Sequence, residues 1–336
     1  MKKPFLIAEI AQAHNGSFKK ALDYINALAK TGVDAIKFQT HIADAESSVH
    51  EPFRVRFSDD KTRFAYWKRM EFSLEQWQEL KQACDEQDVE FMSSPFSNAA
   101  VDLLEKIGVK RYKIGSGEVN NFLLLKKISQ TGKPIILSSG MSSYEELDKT
   151  VNFLHQQNVD FSILQCTTSY PTKPEHYGLN IIQELKARYG VKVGFSDHSA
   201  KIETCIAATA LGAEILEFHA VLDRKNDGGP DALSSLEMEE ITTLVEQVKT
   251  IYTAQQNKVD KRDNSHFTEL KGIFEKSLSI NKDLPARHLL QFEDLEAKKP
   301  KNYGIDAAQF ERVIGKKLSN SMKKWDFLNE NDLMHE

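Results

Sequence analysis

Residues 136–141 read ILSSGM, an apolar run that ends in two serines, a glycine and a methionine. Small polar residues also end the stretches FMSSPF (91–96), YKIGSGE (112–118), LQCTTSY (164–170) and GFSDH (194–198). None of these endings extends a hydrophobic strand, and five similar endings in one chain require a common structural cause.

Short apolar runs rich in β-branched residues alternate with longer amphipathic segments from residue 5 to about residue 253, a pattern typical of strand–helix units. We count eight runs, at residues 5–10, 35–38, 90–93, 111–115, 134–137, 161–166, 191–195 and 214–218. Between the first two, Ile25 and Leu28 lie on the apolar face of a predicted helix, with Ser17 as its N-cap and Gly32 just past its end. Eight strands, each followed by a helix, predict a (β/α)₈ TIM barrel of the α/β class rather than a doubly wound sheet.

The barrel explains the polar endings. In this fold the carboxyl ends of the strands meet at one face, and side chains from several strands border the active site there. We therefore expect the five endings to surround a single pocket.

The composition limits the classes of function. The chain has 336 residues, of which 40% are hydrophobic, enough for a substantial core. Its 49 acidic and 44 basic residues give a formal net charge of −5, so no general basic excess attracts nucleic acid or an anionic membrane. The apolar stretches are shorter than about 18 residues, so neither a membrane span nor a signal peptide is predicted. Cys84, Cys166 and Cys205 are widely spaced, as expected for reduced thiols in a cytoplasmic protein.

Three regions fall outside the regular alternation. Residues 41–72 form a long basic and aromatic segment, where we expect either a lid or contact surface, or a solvated insertion packed on a neighbouring subunit. After a barrel domain at residues 1–253, the polar residues 254–276 predict a linker. Residues 277–336 predict a small, mainly β domain, which we expect to dock on another surface because about 60 residues are marginal for independent stability.

Two lysines point to an anion site. Lys37 and Lys113 end the second and fourth runs, in the company of serine and threonine residues and of the sequences GSG (115–117) and SSG (138–140). Small residues let backbone N–H groups approach an anion, and lysine adds positive charge. The pattern predicts a phosphate-binding site at the strand ends.

Two histidines point to a metal site. His198 and His219 lie 21 residues apart at equivalent ends of the seventh and eighth runs, whose backbones are about 5 Å apart in a parallel sheet. With the carboxylates of Asp197, Glu217 and Glu9 nearby, the pair favours Mn²⁺, or another divalent ion with open coordination positions, over a closed structural zinc site. Such an ion would polarise a carbonyl group, while Glu118 or Asp231 handles protons or sugar hydroxyls.

In combination, the strand-end sequences resemble the sialic acid synthase family, which includes N-acetylneuraminate, legionaminate and pseudaminate synthases. The sequences that carry the resemblance are AEIAQAHNGS (8–17), KFQT (37–40), SSPF (93–96), KIGSGE (113–118), ILSSGM (136–141), CTTSYP (166–171), GFSDH (194–198), EFHAVLDR (217–224) and GGPD (228–231). Residues 277–333, which contain KDL, EDLEAKKP and VIGKKL, are similar to the family's C-terminal SAF domain, a relative of type III antifreeze protein. The resemblance covers essentially the whole chain.

The resemblance implies that phosphoenolpyruvate condenses with the open-chain aldehyde of an N-acyl hexosamine, giving phosphate and a nine-carbon 2-keto acid. Mn²⁺ is the implied cofactor, bound by His198 and His219, and it would hold the aldehyde oxygen while C3 of the enolpyruvate attacks. Water would then add at C2, and phosphate would leave with C–O cleavage. Glu9 would lie beside the reacting centre, and Glu118 would transfer protons.

The resemblance also implies two sets of binding residues. Those implied for phosphoenolpyruvate are Lys37, Lys113, Ser94, Ser116, Ser138, Thr168 and Ser196, and Lys113 is also implied to be catalytic. Those implied for the acceptor sugar are Gln39, Tyr170, Asp231 and Lys299. The last comes from the small domain of the other subunit in an implied domain-swapped homodimer.

The chain departs from the family pattern at the acceptor. Lys299 stands where the family has an arginine that reaches the N-acyl group, and a lysine cannot form arginine's bidentate fork. Ser94 and Thr168 stand where relatives often have threonine and asparagine, and His219 lacks its usual lysine and phenylalanine neighbours. These changes leave the metal and phosphate chemistry intact. They leave open whether the acceptor is N-acetylmannosamine or a 6-deoxy diacetamido sugar, as in the legionaminate and pseudaminate synthases.

Two other functions are compatible with some of these residues. A Schiff-base aldolase would use Lys113 or Lys37 as a nucleophile without a metal, and the histidine pair argues against it. A carbohydrate-binding or ice-binding protein, suggested by the antifreeze-like tail, would use the barrel only as a scaffold. That function leaves the polar strand ends unexplained.

Overall fold

The computed structural model describes residues 3–56, 58–226 and 229–334. The chain divides into two compact units, Met1–Asn257 and Lys258–Glu336. The first unit contains the eight predicted strands.

The strands of the first unit form a parallel barrel. They are β1 (Phe5–Glu9), β2 (Ala35–Thr40), β3 (Glu90–Pro95), β4 (Tyr112–Ile114), β5 (Ile135–Ser138), β6 (Phe161–Cys166), β7 (Lys192–Asp197) and β8 (Ile215–Ala220). Hydrogen-bonded neighbours follow the order β3-β2-β1-β8-β7-β6-β5-β4, and β3 packs beside β4 to complete the circuit. The (β/α)₈ TIM barrel is confirmed, and each predicted run matches its strand to within two residues at either end.

Helices follow the strands and cover the barrel. They are α1 (Phe18–Leu28), α2 (Ala43–Glu46), α3 (Arg63–Met70), α4 (Leu74–Glu86), α5 (Asn98–Ile107), α6 (Phe122–Ser129), α7 (Tyr144–Gln156), α8 (Ile181–Tyr189), α9 (Ile202–Ala210) and, after the short strand β9 (Ser235–Leu236) beside β8, α10 (Met238–Gln256). In α1 the predicted cap forms, because the Ser17 side chain accepts a hydrogen bond from the Lys20 N–H. The buried face of α1, with Ile25 and Leu28, packs in the main core between strands and helices.

The second unit is built from short elements. They are α11 (Thr268–Phe274), β10 (Ser277–Ile280), β11 (Leu295–Lys298) and α12 (Phe310–Val313), with isolated β-bridges between turns. β10 pairs antiparallel with β11, and a small core that includes Leu278, Leu318 and Leu328 supports the unit. The segment predicted as a linker at 254–276 contains the end of α10 and the whole of α11. Within the described residues, no helix is both long and apolar enough to cross a bilayer.

The long segment between β2 and α4 docks on the turn between β1 and α1. Gly16 in that turn has φ +75°, and a Cβ there would lie 2.4 Å from the carbonyl oxygen of Arg69, so a side chain does not fit. Nδ1 of the neighbouring His14 accepts a hydrogen bond from the Gly16 N–H at 3.1 Å, and the His14 ring packs 4.7 Å from that of Phe72. Burial lowers the pKa of His14 to about 3, and the charges of His41 and other basic groups add to this.

This buried imidazole makes the stability depend on pH. The unfolded chain binds a proton at His14 near pH 6.5, whereas the folded chain does not. The contribution of the neutral His14 to the unfolding free energy is therefore fully present above that pH and is lost as the pH falls. Between about pH 7.5 and about pH 5, we expect the wild type to lose about 2 kcal/mol more unfolding free energy than His14→Asn. Urea unfolding followed by circular dichroism at each pH measures this.

The matched control is His155→Asn, because His155 is exposed on α7. It should keep the pH profile of the wild type. Parallel profiles for wild type and His14→Asn would contradict a neutral buried imidazole at this position.

Candidate active site

Inside the barrel, six strands carry an apolar side chain and, two residues further along the strand, a polar one. One apolar layer is formed by Ile7, Ala35, Met92, Ile136, Leu164 and Ile215. Side chains alternate along a strand, so the residue two positions later faces the same way. Those positions hold Glu9, Lys37, Ser94, Ser138, Cys166 and Glu217. Strand periodicity alone therefore places a polar layer directly above the apolar one.

A buried network, which we call the charge network, is formed by three charged side chains of this layer and by Lys113 of β4; its members are Glu9, Lys37, Lys113 and Glu217. Lys37 is ion-paired with Glu9, and its Nζ lies 3.9 Å from Oε2 of Glu217. Lys113 Nζ lies 3.3 Å from Oε1 of Glu217. Each of the four side chains is at most 6% exposed. Two positive and two negative groups thus balance each other away from water.

The network shifts the pKa values of its acids in opposite directions. Burial raises the pKa of Glu9 to about 7, although Lys37 opposes the shift. Burial alone would also raise the pKa of Glu217, but the charges of Lys113 and Lys37 outweigh it and lower this pKa to about 2. Glu217, which contacts both lysines, is therefore the fixed anion of the network.

The two lysines differ as well. Burial would lower the pKa of Lys37, but Glu217 and Glu9 outweigh it and raise the value. For Lys113, burial dominates and lowers the pKa, with the charge of Lys37 adding to this and Glu217 opposing it. Lys37 is thus the more firmly protonated of the two.

Hydroxyl groups surround the lysines. Lys113 Nζ donates to Oγ of Ser138 at 2.6 Å, and Lys37 Nζ donates to Oγ of Ser94 at 3.3 Å. Oγ of Ser196 donates to Oε1 of Glu217 at 3.1 Å. The structure therefore brings five of the seven residues predicted for phosphoenolpyruvate into contact with the charge network.

The other two, Ser116 and Thr168, meet at Gly140. The Gly140 N–H donates to Oγ of Ser116 at 3.0 Å. A Cβ at residue 140 would lie 2.5 Å from Oγ1 of Thr168 and 2.7 Å from Oγ of Ser116. Glycine is thus required for the two hydroxyls to approach each other, and no side chain fits at this position.

The two predicted metal ligands are neighbours. The ring centroids of His198 and His219 are 5.2 Å apart, and the Tyr170 ring lies 4.2 Å from the first and 5.9 Å from the second. His198 Nδ1 lies 2.9 Å from the carbonyl oxygen of Thr167, which fixes the ring and leaves Nε2 for another partner.

Their pKa values differ. Burial, with the charge of His198, lowers the pKa of His219 well below its usual value, so this ring is neutral. Burial alone would lower the pKa of His198, but Cys166 and the Thr167 carbonyl outweigh it and raise the value to about 9. A metal ion at His198 would therefore release a proton.

The residues present fit a divalent ion with few protein ligands. Within the described residues, no group of three His, Cys, Asp or Glu side chains is arranged to hold a metal. Near His219, however, the buried Oε2 of Glu217 has no hydrogen-bond partner among those residues, and the charge of Glu217 acts on the His219 ring. Two imidazoles with oxygen atoms nearby suit a site whose remaining positions are open to water or substrate.

An open pocket of about 370 Å³ lies above the charge network. The predicted site residues that line it are Gln39, Glu118, Thr168, Tyr170, His219 and Asp231. Three of these, Gln39, Thr168 and His219, stand two residues beyond members of the polar layer and continue the same alternation. Glu118 is positioned by the Asn121 side chain, which donates to its Oε2 at 2.7 Å, and burial raises the pKa of Glu118.

One predicted site residue lies elsewhere. Lys299 belongs to the second unit, where its Nζ is 4.9 Å from the centroid of the Phe274 ring. Its predicted contact is with the acceptor site of another subunit, so it stays a prediction.

The long segment after β2 supplies pocket residues that the sequence did not single out. His41 is stacked between Trp67 and Phe96, with centroid distances of 3.6 and 4.4 Å. Its Nε2 lies 3.2 Å from Oε1 of Gln39, and its Nδ1 lies 2.5 Å from Oε1 of Glu46.

Gln39 in turn donates to Oε1 of Glu9 at 3.0 Å. A continuous set of contacts thus runs from the segment to the charge network. The basic and aromatic composition of residues 41–72 was the sequence signal for this wall.

The chain is similar along nearly its whole length to a legionaminic acid synthase and to a pseudaminic acid synthase. The chain is 34% identical to the N,N′-diacetyllegionaminic acid synthase of Campylobacter jejuni, over 98% of this chain and 100% of that protein. It is 30% identical to the pseudaminic acid synthase of Helicobacter pylori, over 99% of this chain and 98% of that protein.

A solved structure agrees with these relatives. The N-acetylneuraminic acid synthetase of Leptospira borgpetersenii, crystallised with citrate, superposes with a TM-score of 0.70 at 31% identity and covers 80% of this chain and 90% of that one. The family model described as the NeuB family matches residues 24–260. With that match over most of the barrel and relatives that align along nearly the whole chain, the protein belongs to the NeuB family.

Proposed function

We propose that this enzyme condenses phosphoenolpyruvate with the open-chain aldehyde of an N-acyl hexosamine and releases phosphate and a nonulosonic acid. The observation that carries the proposal is the stacking of two different sites along the barrel axis. Two buried lysines with serine hydroxyls lie below the pocket, and His219, one member of the imidazole pair, lines its wall. An anionic donor and a carbonyl acceptor would meet where the two sites adjoin.

The donor belongs at the base. Lys37 and Lys113 supply positive charge, and the hydroxyls of Ser116 and Thr168, which meet at Gly140, would donate to phosphate oxygens. Ser94, Ser138 and Ser196 hold the charged groups in place through the hydrogen bonds described above. This assignment matches the residues implied for phosphoenolpyruvate by their place in the motifs.

The acceptor belongs in the pocket, against Gln39, Tyr170 and Asp231. His198 and His219 would hold Mn²⁺ or another divalent ion, which when bound would act as a Lewis acid on the aldehyde oxygen. N-acetylmannosamine and the 6-deoxy diacetamido sugars are the candidate acceptors, since relatives are named for legionaminic, pseudaminic and N-acetylneuraminic acids.

The proposed condensation conserves atoms and protons. A bond forms between C3 of phosphoenolpyruvate and the aldehyde carbon, water adds at C2, and the C2–O bond to phosphate breaks. The attacking water loses both of its protons, one to the aldehyde oxygen and one to the departing phosphate as the keto group forms. We assign proton transfer to the Glu118 carboxyl, whose pKa is raised by burial at the pocket wall, with Glu9 beside the reacting centre.

We also propose that the second unit is an SAF domain and that the protein is a cytoplasmic homodimer in which Lys299 of one subunit reaches the acceptor of the other. The KDL, EDLEAKKP and VIGKKL sequences and the short strands of the unit support the domain assignment. Sedimentation equilibrium measures the dimer directly. A monomer at assay concentration would rule it out.

The ion pairs argue against a Schiff-base aldolase. Such an enzyme needs an unpaired neutral amine, whereas Lys37 is paired with Glu9, and Lys113 is paired with Glu217 and donates to Ser138. Borohydride in the presence of pyruvate would trap a Schiff base at either lysine. We expect no trapped adduct.

The proposed reaction predicts metal-dependent turnover. With Mn²⁺ present, we expect phosphate release from phosphoenolpyruvate with one N-acyl sugar from a panel of N-acetylmannosamine, the two diacetamido-trideoxy hexoses and simple aldoses. Excess chelator should stop the release, because the acceptor carbonyl would lose its Lewis acid. Absence of release across the panel, in folded and metal-loaded protein, would contradict the proposed function.

The metal site is tested without turnover. In His198→Ala, the affinity for Mn²⁺ should fall at least about tenfold because one of two protein ligands is gone. Electron paramagnetic resonance of free Mn²⁺ in a titration measures this. His155→Ala removes an exposed imidazole and should bind as the wild type does, and equal affinity in both variants would refute the site.

The close contacts at Gly140 predict a selective effect on the KM for phosphoenolpyruvate. In Gly140→Ala, the added methyl group should displace Ser116 and Thr168 and raise the KM for phosphoenolpyruvate about tenfold or more. Initial rates at varied phosphoenolpyruvate measure this. Gly272→Ala is the control, since a Cβ there meets nothing within 4 Å. An unchanged KM in Gly140→Ala would exclude Ser116 and Thr168 as phosphate-binding residues.

A further inference from the structure

Arg54 joins three loops at the mouth of the pocket. It lies between α2 and α3, and its Nη2 donates to Oδ1 of Asp231 at 2.7 Å. Its guanidinium carbon lies 4.4 Å from the centroid of the Tyr170 ring. Asp231 follows β8 and Tyr170 follows β6, so one side chain from the β2 side contacts two of the three pocket residues that we assign to the acceptor.

The segment around Arg54 is anchored on both sides. Before it, Glu51 accepts from Nε1 of Trp67 at 3.1 Å, and after it, Arg63 lies 4.0 Å from the Trp67 ring and 3.5 Å from Oε1 of Glu51. Trp67 is itself stacked on His41. These contacts fix the backbone that carries Arg54 against the barrel, so its place at the pocket does not depend on the Asp231 pair alone.

The guanidinium keeps donors for a ligand. Arginine has five N–H groups, and within the described residues the one hydrogen bond of Arg54 is to Asp231. Its side chain is 46% exposed while that of Asp231 is 12% exposed, and both line the pocket. An exposed ion pair of this kind contributes only about 0–1 kcal/mol to stability, so stability alone gives a weak reason for its presence.

We infer that Arg54 is an acceptor-binding residue: its unpaired N–H groups donate to oxygen atoms of the acceptor, and its bond to Asp231 orients that carboxylate toward the acceptor's hydroxyls. The inference rests on the proposed function. The acceptor that fits is a polyhydroxylated amide, because its hydroxyls can donate to Asp231 and its carbonyl oxygen can accept from Arg54. Tyr170, stacked under the guanidinium, holds the fork in one plane.

The inference is tested by separating the two substrates. In Arg54→Ala, measured with the acceptor that the wild type uses, the KM for the acceptor should rise about tenfold or more, as expected for losing hydrogen bonds to a charged donor. The KM for phosphoenolpyruvate should stay within about twofold of the wild type, which also verifies folding. Arg54→Lys keeps the charge without the fork and should fall between wild type and Arg54→Ala.

Two controls isolate the side chain. Arg56→Ala removes the same charge from the same segment, where the Arg56 guanidinium carbon lies 5.8 Å from the Phe53 ring, and both KM values should match the wild type. Guanidinium ion at low millimolar concentration should partly restore acceptor turnover in Arg54→Ala and have no effect on Arg56→Ala.

The outcomes are distinguishable. An unchanged acceptor KM in Arg54→Ala, or an equal rise in both KM values, would overturn the inference and leave the proposed function standing. The same rise in Arg56→Ala would overturn it too, because the effect would belong to the charge of the segment. If the wild type consumes phosphoenolpyruvate with none of the acceptors, the proposed function fails, and the inference fails with it.

Discussion

The charge network of Glu9, Lys37, Lys113 and Glu217 is the constraint that organises this protein. Isolated charges are costly in a barrel interior, and each ion here is tolerated because the others lie within contact distance. Those contacts exist only if β1, β2, β4 and β8 end at matching heights around one axis. The register that pairs Glu9 with Lys37 on one side and with His219 on the other supplies this. Closure of the barrel and formation of the site are therefore one requirement.

From this network upward, the site changes from strand residues to loop residues. The base is fixed by side chains two positions above the apolar layer, and strand alternation leaves them little choice of direction. The wall is different, because His41, Trp67, Phe96 and Arg54 come from connecting segments and are held by stacking and hydrogen bonds. The base suits the part of the reaction that all candidate acceptors share. The wall suits the part in which the acceptors differ.

This division explains what the sequence could predict. The apolar runs predicted the eight strands and their polar endings predicted the face that carries the site, because both signals are local in the sequence. Strand ends were predicted up to two residues short, since strands such as β2 and β7 extend through polar residues that carry no hydrophobic signal. Glu217 was noted only as a carboxylate near the metal site, because its contact with both lysines depends on positions across the barrel. The roles of Arg54 and His41 were missed for the same reason, as their partners lie far away in sequence.

The energetics of base and wall also differ, with consequences for the acceptor. Removing one partner from a buried ion pair leaves an uncompensated charge and costs about 3–5 kcal/mol, so changes among the four network residues threaten the fold itself. The Arg54–Asp231 pair is partly exposed and contributes about 0–1 kcal/mol, so a change there costs little stability. Substitutions that alter the acceptor are therefore tolerated at the wall and are excluded at the base. Under the proposed function, a chain of this family could thus change its sugar while keeping its anion site, and we expect its specificity to lie in the wall together with Gln39, Tyr170 and Asp231.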